Sequence, residues 1–77
     1  MGYKATDTCL QKAAEDEPIF VLRAKDKLAP SIVRRWADLA EAASHPDSPT
    51  RDKVREARLF AKTMEGWQQK NGSKIPD

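Results

Sequence analysis

A single cysteine and a single histidine among 77 residues leave little for covalent or metal chemistry. Cys9 has no internal disulfide partner, and with His45 it cannot build a zinc site unless carboxylates or a second chain supply the rest. No apolar run approaches the roughly 20 residues of a membrane span, and none resembles the core of a signal peptide. Glycine is scarce, at 3 residues, and Ser31, Ser44, Ser48 and Ser73 lie in no glycine-rich elbow that would expose a nucleophile. Aromatics are 6% of the chain, too few for extensive stacking on bases. These shortages predict a cytoplasmic protein that is not an enzyme and carries no metal or cofactor.

What the chain has is charge and short periodic patterns. Charged residues make up 34% and hydrophobic ones 39%, the balance of one small domain over residues 1–77, with residues 1–6 and 73–77 as flexible ends. A domain this short buries only roughly 60–65% of its unfolded surface, so self-association is expected before any motif is considered. The net charge of +2 is unevenly spread. Residues 49–77 hold seven basic and four acidic groups, or +3, and form the basic third.

The fold class read from the pattern is mainly α: a helical hairpin covered by a short N-terminal helix and a short strand. Thr6 or Asp7 can cap a helix through Cys9, Leu10, Ala13 and Ala14, which Glu15-Asp16-Glu17 and Pro18 end. Ile19–Ala24 is β-branched and aromatic, and too short for a firm helix. As a strand it needs a partner, either the Tyr3 region or a second copy; without one it is helical.

Pro30 suits a first helical turn. Beyond it Leu28, Ile32, Trp36, Leu39, Ala40 and Ala43 share one face, and Arg34 pairs with Asp38 at i,i+4 on the other. His45–Pro49 is a turn. Ser48 before Pro49 opens the last helix, which runs to about Lys70 with Asn71-Gly72 as its stop. Val54, Ala57, Phe60, Ala61, Met64 and Trp67 form its inner stripe. On this pattern Trp36 and Trp67 anchor the core, and Trp36→Ala costs about 3–5 kcal/mol. Leu59 points elsewhere, either under the opening strand or into an exposed interface.

Arg51, Arg55, Arg58 and Lys62 follow each other at helical spacing and form one line. Such a line is a solvated face, a phosphate track, or a contact for an acidic protein surface. Arg23, Lys25 and Asp26 form a second polar group beside the apolar run, where Glu17 and Asp26 bracket it.

The stretch DEPIFVLRA, residues 16–24, with Asp26, Leu28-Ala29-Pro30 and a tryptophan helix, resembles a group of short proteins of phage, prophage and bacterial genomes. The likeness covers roughly residues 7–67. It implies a small phage-type accessory protein that binds a host component, such as a defence or transcription complex, and it transfers no catalytic residue. The leading expectation is thus an inhibitor that blocks a host protein complex through Arg51, Arg55, Arg58, Lys62, Arg23, Lys25 and Asp26. The alternatives are an oligomer sequestering a nucleotide against Arg23 or a tryptophan, and direct nucleic-acid binding by the basic face of the last helix.

Overall fold

The computed structural model describes Tyr3 and residues 11–75. Two helices form its frame, α1 over Ala29–Ala43 and α2 over Thr50–Asn71, joined by a turn at residues 44–49. The helix expected from Thr6 or Asp7 lies outside the described residues apart from its end. There Gln11 and Lys12 are helical and the chain bends at Ala13.

Local chemistry accounts for the helix ends. Pro30 occupies the first turn of α1, where its missing N–H removes no helical bond. Ahead of it the Asp26 carboxylate accepts from the Leu28 N–H at 2.8 Å, and the Asp26 carbonyl accepts from the Ala29 N–H at 3.0 Å. At the start of α2, Ser48 Oγ accepts from the Thr50 N–H at 3.2 Å. Gly72 ends α2 with φ of 82°, a left-handed value that glycine adopts without steric cost.

The packing rotates α1 away from its expected face. The buried seam consists of Ala29, Ala37, Val54, Ala57, Ala61 and Met64, with Val33 and Ala40 partly buried against it. Small side chains let the two helix backbones approach closely. The larger residues of the expected stripe are pushed to the outside: Leu28, Ile32, Trp36 and Leu39 are all about half exposed. Trp36, at 45% exposure, is a flank residue rather than a core anchor. Its truncation therefore costs about half of the 3–5 kcal/mol of a fully buried tryptophan. Trp67 is likewise exposed at 42%, and Leu59 is uncovered at 59%.

Interhelical ion pairs accompany the rotation. Arg34 does not pair with Asp38 along its own helix but bridges to Glu65 of α2. Asp38 instead meets Arg58 at 3.0 Å, and Glu41 meets the same guanidinium at 2.8 Å. One flank of the hairpin is thus polar and cross-linked, while the other carries the large apolar residues.

Ile19–Ala24 forms no strand. The segment is irregular, without a ladder, and Phe20 is 88% exposed. Its composition favours a strand, but a strand needs a neighbour to satisfy its backbone, and Tyr3 stands elsewhere, edge-on to Phe60 with ring centroids 6.0 Å apart. Among the described residues the β pairing is one isolated parallel bridge, Asp26 with Lys74.

That bridge belongs to a clamp at the open end of the hairpin. The Lys27 N–H donates to Lys74 O at 2.9 Å, and the Lys74 N–H donates to Lys25 O at 3.0 Å. Gln68 Nε2 donates to both Ala24 O and Asp26 O, at 2.8 and 2.9 Å. The tail expected to be free from residue 73 is therefore tied down as far as Lys74.

Candidate partner-binding surfaces

The basic line lies along one edge of α2, and its members are not equivalent. Arg51 donates to Pro46 O at 3.2 Å, which holds it over the turn. Arg58, expected in solvent, is taken up by Asp38 and Glu41 and braces the two helices. Among the described residues Arg55 and Lys62 make no hydrogen bond or ion pair, though the charge of Lys62 is felt by Glu65. They border an open groove of about 760 Å³ at the turn end, whose walls include Arg51, Leu59, Pro46 and Pro49.

Arg23, Lys25 and Asp26 meet at the opposite end of the hairpin, around a cavity of about 190 Å³ shared with Val21 and Lys74. That volume is below the roughly 300–1,000 Å³ of a small-molecule site. The Asp26 carboxylate is engaged by the Leu28 N–H just ahead of α1, a role with no periodic signature in the sequence. The two basic groups share no lining residue; at about 1.5 Å of rise per residue, Lys62 lies about 9 Å and Arg51 about 25 Å along α2 from Gln68 at the clamp. They are two surfaces, not one. Gln68 escaped the sequence reading because its two acceptors lie 42 and 44 residues away.

The third surface is the apolar flank. Ile32, Trp36 and Leu39 of α1 recur at i, i+4 and i+7, and Phe60 and Trp67 of α2 occupy the corresponding edge across the seam. The side chains of Arg34, Asp38, Glu41, Arg58 and Glu65 all lie on the other side, in the cross-links already described. Among the described residues no group of three or more His, Cys, Asp or Glu side chains could hold a metal ion. No helix among them is long and apolar enough to cross a membrane.

The cross-links also set a pH response. Glu41 is held below the usual carboxylate range, first by its hydrogen bond from Arg58 and then by that residue's charge. Glu65 is lowered in the same way by Arg34. A carboxylate lowered in the folded state stabilises it above the unfolded value, about 4.3, and this contribution disappears as pH falls through the folded value. Thermal melts should therefore be flat from pH 7 to 5 and decline below about pH 4. The decline should be shallower for Arg34→Gln with Arg58→Gln, and for the parent in high salt, since these groups are exposed and screened. A double variant with the parent's acid profile would show that the bridges do not stabilise the hairpin.

No family model, curated protein or solved structure matches the chain.

Proposed function

We propose that the chain is a non-enzymatic interaction protein, a phage-type accessory factor acting in the host cytoplasm, that blocks a host protein assembly by covering one of its surfaces. The observation that carries this reading is the amount and placement of apolar surface left outside. Its most regular part is the flank of Ile32, Trp36, Leu39 and Trp67, each about half exposed, placed on helices and rich in the aromatic residues that dominate binding.

The partner that fits is a protein surface with an apolar ridge and acidic margins. Arg35 borders Leu39 at i,i+4, and Lys70 borders Trp67 at i,i+3. Aromatic and arginine side chains in that arrangement anchor an interface while charge at its rim sets the rate of encounter.

The test compares the tagged parent with Ile32→Lys/Leu39→Lys in nuclease-treated host lysate. Both substituted residues are half exposed and outside the seam, so the helical circular dichroism should persist. The parent should retain a defined protein assembly and inhibit its activity at stoichiometric amounts, and the variant should do neither. Equal capture and inhibition by the variant would remove the flank from the interface. Recovery of nucleic acid alone, before nuclease, would replace this reading with nucleic-acid binding.

A further inference from the structure

The groove on α2 and the opening segment are complementary, yet they lie apart in one chain. Among the described residues the carboxylates of Glu15 and Asp16 have no hydrogen bond or ion pair, and that of Glu17 accepts only a long bond from the Ala14 N–H, at 3.4 Å. Directly after them Ile19, Phe20 and Val21 are exposed on irregular backbone. The segment is thus three acids followed by three large apolar residues, with no partner for either set. The groove is lined by Arg51, Arg55, Lys62 and the exposed Leu59, together with Asp47, Asp52 and the Glu41–Arg58 pair, which leaves it a basic excess of one.

The two features do not meet in the observed fold. Val21 and Arg23 sit at the clamp with Lys74, beyond the C-terminal end of α2. The groove lies at that helix's N-terminal end, and no residue before Glu41 lines it. We propose that the groove is occupied by Glu15–Val21 of a second copy of this chain. The acids of the segment pair with Arg55, Lys62 and Arg51, and Phe20 covers Leu59. Such a contact is head-to-tail: each copy uses a segment at one end and a groove at the other, so copies close into a ring or extend in a row. It does not use Ile32, Trp36 or Leu39, so it stands or falls separately from the function proposed above.

Charge pairs contribute to this contact, which makes it separable from purely apolar association. Screening shortens the reach of exposed charges from about 10 Å at 0.1 M salt to about 3 Å at 1 M. Sedimentation over a hundredfold range of concentration should show the parent associating at 50 mM salt and dissociating at 500 mM. Glu15→Lys/Asp16→Lys and Arg55→Glu/Lys62→Glu should each weaken association about tenfold or more when alone. Neither pair takes part in the interhelical bridges, so both variants should keep the parent's helical signal.

Mixed in equal amounts, the two variants should associate again, because each reversed segment now faces a reversed groove. Three results would overturn the proposal: a parent that stays monomeric throughout, variants that associate as the parent does, or a mixture that remains dissociated. If random duplex DNA binds the parent with a linear fall of log affinity against log salt, and the parent does not self-associate, the groove is a phosphate track instead.

Discussion

Ala57→Leu is expected to destabilise the hairpin more than any substitution on its outer surfaces. Ala57 has no exposed area and clusters with Ala37 and Val54 in the seam. Three added heavy atoms at that point have nowhere to go unless the helices separate. Overpacking of this kind costs about 1–3 kcal/mol. A chain of this length has about 4–12 kcal/mol of stability in total, so the loss is a large fraction of it. The melting temperature of a domain this size moves by about 4–8 °C per kcal/mol, which places the expected fall at about 5–20 °C. Leu59→Ala, on the same helix but exposed, should change the melt by less than about 0.5 kcal/mol. Circular dichroism melts of the two variants decide the point. An unchanged melt for Ala57→Leu would mean that the helices do not meet on their alanines.

Gln68→Ala should loosen the open end of the hairpin by about 2 kcal/mol, since it strips donors from two backbone carbonyls whose surroundings are partly dry. The affected groups are Ala24 O and Asp26 O. The readout is local: amide exchange at Lys27 and Lys74 should accelerate, because their bonds close the same clamp, while amides in the middle of α2 should change much less. Gln68→Glu is the sharper control. It keeps the length of the side chain but presents acceptors to acceptors, and should loosen the clamp at least as much as alanine does. Unaltered protection at Lys27 and Lys74 in both variants would show that the backbone bridge holds without the side chain.

The contrast between those two sites shows which parts of the fold were legible. Helix limits were, because Pro30, Ser48-Pro49 and Gly72 act within a turn of themselves. The existence of an apolar face on each helix was also legible, since periodicity reports it directly. The rotation of α1 was not. Its apolar arc is wider than one contact, and which part of that arc meets α2 depends on packing across the seam, which leaves no trace in the periodicity of α1. Arg58 illustrates the same point for the site: its spacing places it on the basic line, and only the approach of Asp38 and Glu41 removes it. Asp26 and Gln68 act across loops or long separations that leave no periodic trace. The run Ile19–Ala24 has strand composition, but composition does not supply a neighbour.

The clamp at Gln68 and Lys74 bears on the order in which the chain acquires its shape. The turn at residues 44–49 joins helices that are neighbours in sequence, so their seam closes over short loops and at little entropic expense. The clamp joins groups more than 40 residues apart, a separation bridged only after the helices have brought its ends together. Contact order predicts folding from the turn toward the open end, since the seam closes over short loops and the clamp over long ones. On that order Arg23 and Lys25 are anchored last. On a nascent or partly opened chain the basic groove is already formed while that second basic group is still unplaced, so a partner needing both meets a competent surface only on the completed fold.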